Sequence, residues 1–337
     1  DNGEVTLAMR EVIQFWLEQM GVDGFRLDAV RHLIENGPIM ENTPETHTWL
    51  EDFYRYVHAL APDALAVGEI WDTTGDIVEY VGDEVDIAFE FDLAQAILDA
   101  VKLGNNQRLL EVQETILESY GQGQYAAFLT NHDQNRVINY LQRNRAKAKA
   151  AATLLLTNPG VPFIYYGEEI GMRGIKPDEE IRRPMQWDGS PAAGFTTGTP
   201  WEPLNNDTAT VNVQAEAADP DSLLNHYRQL IHLRLDHAAL RVGELWLVES
   251  SSAQVYACLR SYEGEAVLVL VNLGGESVSG VSLALTQGPL EVGVRAELLL
   301  GAGEPLAPQV TAAGGFAEYQ PLPELGPFES VLIRLGP

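Results

Sequence analysis

Short apolar runs of strand length alternate with segments of helical period through the first two-thirds of the chain, and three of those runs end on a carboxylate or a His-Asp pair. Val5, Met9, Val12, Ile13, Trp16, Leu17 and Met20 recur at helical spacing until Gly21 stops the run. A strand is expected at 22–30, a helix at about 48–60, then strands at 65–69 and 85–91. Helical segments fill 93–119, a strand covers 125–130, a helix 146–157 and a further strand 161–166. A polar loop rich in Pro and Gly runs to about 219, and a last helix covers 222–235. Alternation of this kind, with apolar strand interiors, favours a parallel α/β architecture. Active sites in such folds lie at the carboxyl ends of the strands, where the polar clusters of this chain fall.

From about residue 239 the pattern changes. Runs at 245–249, 254–261, 266–272 and 330–335 alternate with Gly, Ser and Pro turns and carry no helical period. The expected organisation is therefore an α/β region over 1–238 and a small antiparallel β-sandwich domain over 239–337. Five strands do not close an eight-stranded barrel, so the first region is either an open sheet or a barrel lacking its first strands.

Composition narrows the partners. The chain has 337 residues, 45% of them hydrophobic, enough for one large core or for a large and a small one. A formal charge of −28 repels phosphate backbones and anionic lipid, so neither nucleic acid nor a membrane surface is an expected partner. A neutral sugar polymer is indifferent to that field. No apolar run approaches the length needed to span a bilayer. Asp1-Asn2-Gly3-Glu4 has neither the basic nor the apolar part of a signal peptide. The one cysteine, Cys258, offers no internal disulfide and no thiolate cluster; its apolar neighbours suggest a buried, inert thiol on a strand.

Three segments carry chemistry. In Gly24-Phe25-Arg26-Leu27-Asp28-Ala29-Val30-Arg31-His32, strand alternation sets Arg26 and Asp28 on one face, where the guanidinium favours an ionised carboxylate suited to nucleophilic attack. A surface ion pair is the bland alternative. In Val67-Gly68-Glu69-Ile70-Trp71, a single carboxylate ends a strand beside an indole, an environment that can raise its pKa and make it a proton donor. Alone, that match is weak, and a solvated loop glutamate is the better reading of it. In Phe128-Leu129-Thr130-Asn131-His132-Asp133-Gln134-Asn135-Arg136, a His-Asp pair suits adjacent sugar hydroxyls better than a hydrolase triad or a zinc site, since no Gly-x-Ser-x-Gly elbow and no second spaced histidine accompany it.

Taken in this order, the three segments resemble the signature regions at the fourth, fifth and seventh barrel strands of the α-amylase family, glycoside hydrolase family 13. The resemblance extends to Gly160-Val161-Pro162-Phe163-Ile164-Tyr165-Tyr166-Gly167-Glu168-Glu169-Ile170-Gly171-Met172, similar to the eighth strand and its loop. It also takes in Arg182-Arg183-Pro184-Met185-Gln186-Trp187, similar to a segment of oligosaccharide-acting α-glucosidases and intermediate amylases. The implied fold is a (β/α)8 TIM barrel with strands 4–8 present and 1–3 missing, followed by the family's small all-β C-terminal domain. The implied roles are Asp28 as nucleophile, Glu69 as general acid/base and Asp133 as the carboxylate that binds sugar hydroxyls and steadies the oxocarbenium-like state. Arg26 would orient Asp28, and His132, His32, Arg31 and Arg136 would contact substrate.

The same resemblance implies retaining cleavage of α-1,4-glucosidic bonds in starch or maltooligosaccharides, with an α-glucan as the partner. An α-glucosidase, a trehalose synthase-like transglycosylase and a non-catalytic relative stay open as alternatives, although retention of Asp28, Glu69 and Asp133 speaks against the last. No organic cofactor is implied. Calcium is admitted, with most of its ligands upstream; no residue here is a certain metal ligand, and the His32 backbone is one candidate. The first barrel strands and the domain inserted after the third have no counterpart in the chain, so a dependence on that missing N-terminal half is expected.

Overall fold

The computed structural model describes residues 2–121 and 123–337. They form two compact units, Asp1–Asp92 with Thr115–Ala126 and Leu93–Glu114 with Ala127–Pro337.

In the first unit, strands β1 (Gly24–Leu27), β2 (Leu65–Gly68), β3 (Ile87–Phe89) and β4 (Tyr125–Ala127, which runs on into the second unit) lie parallel and adjacent in chain order. The register sets Leu27 opposite Gly68, Val67 opposite Ile87 and Phe89 opposite Ala126. Each strand is shorter than its apolar run. β1 begins at Gly24, whose φ of +153° and position against β2 exclude a side chain: a Cβ there would lie 2.0 Å from the Leu65 carbonyl oxygen. It ends before Asp28 because Ala29 turns into the left-handed region, at φ +45°.

The core of this unit joins Val30, Leu50, Phe53, Val57, Ala66 and Ile70, so the helix Pro44–Leu60 covers the sheet with its apolar stripe. That helix starts four residues before the apolar period does. Thr43 caps it by accepting from the Thr46 N–H at 3.2 Å, and Pro44 fills the first turn, where no N–H is needed. The first helical run is present as an α-helix, Gly3–Gln14, that widens to a π-helical turn, Phe15–Met20, and is closed by left-handed Gly21. Its helical spacing is confirmed, but only Ile13 and Leu17 are buried, while Val5, Leu7, Met9, Val12, Trp16 and Met20 face solvent.

In the second unit, β5 is only Val161–Pro162. Pro162 has no N–H to extend the ladder, and the next donor, Phe163, bonds the Ala127 carbonyl at 2.7 Å. The helical segments expected over 93–119 are two helices, Phe91–Leu103 and Gln107–Ser119, separated at left-handed Gly104. The helix Arg145–Thr157, capped by Asn144, is buried along most of its length and packs against the helix Leu223–Asp236.

Ten strands follow: β6 (Glu244–Leu247), β7 (Glu249–Ser250), β8 (Val255–Tyr262), β9 (Glu265–Asn272), β10 (Val278–Ser279), β11 (Leu283–Leu285), β12 (Arg295–Leu300), β13 (Phe316–Tyr319), β14 (Glu324–Leu325) and β15 (Ser330–Gly336). They form antiparallel sheets ordered β12-β15-β9-β8-β6, β13-β11-β7 and β10-β14 around a core that includes Leu259, Leu268, Leu283, Phe316 and Ile333. The compact units do not divide at 238, because these strands belong with the helices of their own unit. Asn106 donates to the Val255 carbonyl at 2.9 Å, Gln113 to the Tyr256 hydroxyl at 2.9 Å, and buried Arg260 to the carbonyls of Thr157 and Gly243 at 2.5 and 2.7 Å. Cys258 is buried within β8, and burial pushes its thiol up to about 11. Among the described residues no helix is long and apolar enough to cross a membrane.

Candidate active site

Parallel register brings two of the expected residues together. With Leu27 opposite Gly68, the next residue on each strand, Asp28 and Glu69, leaves its sheet edge at the same level. The Glu69 N–H continues the ladder to the Leu27 carbonyl at 2.9 Å, and the Val30 N–H returns to the Glu69 carbonyl at 3.3 Å. Arg26 sits beneath both carboxyls. Its Nη1 pairs with Asp28 Oδ1, and its Nη2 lies 3.7 Å from Glu69 Oε2. One planar guanidinium therefore holds two carboxyls of adjacent strands on one side of the sheet end.

The two carboxyls are in different surroundings. The Asp28 side chain is 76% exposed and that of Glu69 only 12%. The left-handed turn at Ala29 points its N–H at Glu69 Oε2, 2.8 Å away. Non-glycine residues in this conformation cost about 1–3 kcal/mol and persist where their surroundings fix them, as the Glu69 carboxylate does here. Trp71, expected beside Glu69, stacks on Phe91 with ring centroids 5.0 Å apart and an interplanar angle of 9°.

Arg31 and His32 follow on a short 3-10 turn, Val30–His32. His32 is half-exposed, with Nδ1 3.2 Å from the Met40 carbonyl. Arg31 is enclosed by protein acceptors: Asp72 Oδ2 at 2.5 Å, Glu41 Oε2 at 2.6 Å and the Trp71 carbonyl at 2.8 Å. Asp72, which sequence reasoning missed, is held below its ordinary carboxylate range. Burial opposes that shift, and the Thr73 N–H, the Asn42 amide and the Arg31 charge outweigh it.

His132, Asp133 and Arg136 belong to the second unit, in the turn after β4. The Asp133 N–H donates to Asn131 Oδ1 at 2.9 Å, and His132 Nε2 lies 3.3 Å from Asp133 Oδ2. The partner of Asp133 that sequence reasoning missed is Arg182. Its Nη2 is 2.7 Å from Asp133 Oδ1 and 2.8 Å from Asp178 Oδ2, while its Nε donates to the His132 carbonyl at 2.8 Å. The signal was present in the Arg182-Arg183 doublet, but no spacing rule links it to a carboxylate 49 positions away.

Arg136 departs from its expected role as a substrate contact. It is 1% exposed, with Nε on the Ile181 carbonyl at 2.9 Å, Nη1 on the Tyr166 carbonyl and its guanidinium 4.3 and 4.6 Å from the Tyr165 and Tyr166 ring centroids. A cation engaged by carbonyls and ring faces in this way braces the loop after β5. Among the described residues no three His, Cys, Asp or Glu side chains converge to hold a metal ion.

The family model for the α-amylase catalytic domain matches residues 1–243. The chain belongs to the α-amylase family, glycoside hydrolase family 13. Among curated relatives, α-amylase 3 of Dictyoglomus thermophilum is 34% identical over 277 residues, covering 81% of this chain and 54% of that protein. A trehalose synthase/amylase of Mycobacterium tuberculosis is 32% identical over 324 residues, with the same shares of 81% and 54%. The crystal structure of an α-amylase from H. orenii superposes with a TM-score of 0.80 at 31% identity, covering 99% of this chain and 65% of that one. The α/β (β/α)8 fold of the family is thereby the fold to which this chain belongs. The chain spans about half the length of these curated α-amylase-family relatives.

Proposed function

We propose that this chain carries the acid/base and nucleophilic carboxyls of a retaining glycoside hydrolase acting on α-1,4-glucosidic bonds of starch or maltooligosaccharides. The observation that carries the reading is the Arg26 guanidinium reaching both Asp28 and Glu69 at adjacent strand ends. Retention needs two carboxyls about 5–5.5 Å apart, one ionised and one protonated, and a shared guanidinium keeps two such groups close.

Asp28 attacks the anomeric carbon, the glycosidic C–O bond breaks, and the leaving oxygen takes the proton of Glu69. Glu69, now a carboxylate, removes a proton from water; the water oxygen attacks the same carbon and releases Asp28. Two inversions leave the α configuration unchanged. The exposed Asp28 is open to a sugar, while Glu69 is steadied by the Ala29 N–H. In the same reading Asp133 and His132 bind sugar hydroxyls, with Arg182 fixing Asp133.

A second reading, transfer in place of hydrolysis, is favoured by the likeness to the trehalose synthase/amylase. Products from maltose separate the two: glucose for hydrolysis, trehalose for transfer. We further propose that activity depends on a segment upstream of Asp1. The solvent-facing Val5, Leu7, Met9, Trp16 and Met20 are a surface such a segment would cover, and the relatives are about twice as long.

The proposal is tested with Glu69→Gln in the full-length enzyme. Its kcat/KM on maltotriose is expected to fall by about 10²–10⁴-fold, with a much smaller loss on an aryl maltoside whose leaving group needs no proton. Equal losses on both substrates would remove Glu69 as the acid.

A further inference from the structure

Arg31 stands three residues after Asp28, and the groups it contacts come from two different connections. Its Nη1 donates to the Trp71 carbonyl at 2.8 Å and to Asp72 Oδ2 at 2.5 Å, two and three residues after Glu69. Its Nη2 meets Glu41 Oε2 at 2.6 Å, and its Nε faces His32 Nε2 at 3.1 Å. Four of the five guanidinium donors thus have acceptors within the protein. Asn42 closes the ring. Its N–H donates to the Arg31 carbonyl at 2.9 Å, its Nδ2 to Asp72 Oδ2 at 3.2 Å, and its Oδ1 accepts from the Tyr80 hydroxyl at 2.6 Å. With Arg31 and Asp72 both about four-fifths covered, this network is screened less than a surface pair.

We propose that Arg31 is a positioning residue, which locks the turn after Asp28 to the turn after Glu69 and so fixes the acid/base carboxyl, rather than a residue that binds sugar. This rests on the reading of Glu69 as the acid/base. The link passes through two residues. Ala29 is held left-handed with its N–H on Glu69 Oε2, and Val30 donates to the Glu69 carbonyl. Both lie on the short stretch between Asp28 and Arg31. Without Arg31 the Trp71–Asp72 turn loses its tie to the turn after Asp28, and the Ala29 N–H and the Glu69 carboxyl are left to hold each other without that brace. Misplacement of a catalytic group by about 1 Å costs up to about 10²-fold in rate.

The test compares Arg31→Met and Arg31→Lys with wild type in the full-length enzyme. For Arg31→Met, kcat/KM on maltotriose is expected to drop about 10–100-fold, with kcat carrying the loss and KM within about threefold, and with a loss under about fivefold on an aryl maltoside. Arg31→Lys, which keeps one ion pair but cannot span three acceptors, is expected to fall between. Hydrogen exchange supplies a readout independent of catalysis: the Ala29 and Val30 amides should exchange faster in Arg31→Met, with the helix Pro44–Leu60 unchanged. If wild type cleaves no α-glucoside, the functional reading fails, and the exchange comparison alone decides the clamp. A raised KM at unchanged kcat, equal losses on the two substrates, or unaltered exchange at Ala29 and Val30 would each overturn it. Should Arg31→Met not fold, Asp72→Asn removes the opposing charge, and the same outcomes decide.

Discussion

Glu168 offers a prediction whose size follows from its surroundings. It begins the turn Glu168–Ile170, is buried, and accepts from the Tyr227 hydroxyl at 2.9 Å. Burial pushes its carboxyl up to about 8; the neighbouring Glu169 adds to the rise, and the Tyr227 hydrogen bond and the Arg136 charge oppose it. The folded-state value is above the ordinary 4.5, so the native state favours the neutral acid. Its contribution to stability is fully present below about pH 4.5 and is lost progressively as pH rises to about 8. Each pH unit in that window costs about 1.4 kcal/mol, which gives about 3 kcal/mol between pH 5 and 7.5. Glu168→Gln is neutral throughout. Measured by urea denaturation, its stability relative to wild type should therefore rise by about 3 kcal/mol over that interval, whatever fixed offset the amide brings. Glu169, also raised by burial, is present in both proteins, so its own burial is common to them and only its repulsion with Glu168 enters the difference. A stability difference that stays constant within about 0.5 kcal/mol from pH 5 to 7.5 would refute the reasoning.

Other consequences are as direct. Asp28→Asn in the full-length enzyme should lose several orders of magnitude in kcat with its circular dichroism unchanged, and a loss of under about tenfold on maltooligosaccharides would contradict its role. Cys258, buried and with its thiol pushed up to about 11, should resist a thiol reagent at pH 8 in the native protein and react at once in denaturant. Residues 1–337 expressed alone should scatter light as aggregates and cleave no maltooligosaccharide, because the apolar face of the helix Gly3–Gln14 is uncovered. A monodisperse, active monomer would overturn that dependence.

What the sequence disclosed was mainly local. Alternating side chains placed Arg26 and Asp28 on one face, and the strand ends at Asp28 and Glu69 marked where carboxyls would emerge. Where each strand stops was less legible. Apolar character continues past β1 and β5, whereas the backbone is ended by Gly24 and Ala29 at positive φ and by the missing donor of Pro162. The Arg31–Asp72–Asn42–Tyr80 network was invisible because its bonded members are separated by 11 to 41 positions and meet only in the folded chain. Arg136 and Arg182 show the same limit in opposite directions. A motif arginine turned out to be buried beneath carbonyls, and a loop arginine outside that motif holds Asp133.

The central claim, a covalent intermediate on Asp28, is tested most directly by trapping it. A fluorinated α-glucosyl fluoride slows both chemical steps, yet its fluoride leaves readily, so the glycosyl-enzyme accumulates. After digestion, peptide mass spectrometry of the full-length enzyme should find one added fluoroglucosyl group on the peptide containing Asp28, and none in Asp28→Asn. An adduct on Glu69 or another residue, or turnover of the reagent to a first product of β configuration, would contradict the account.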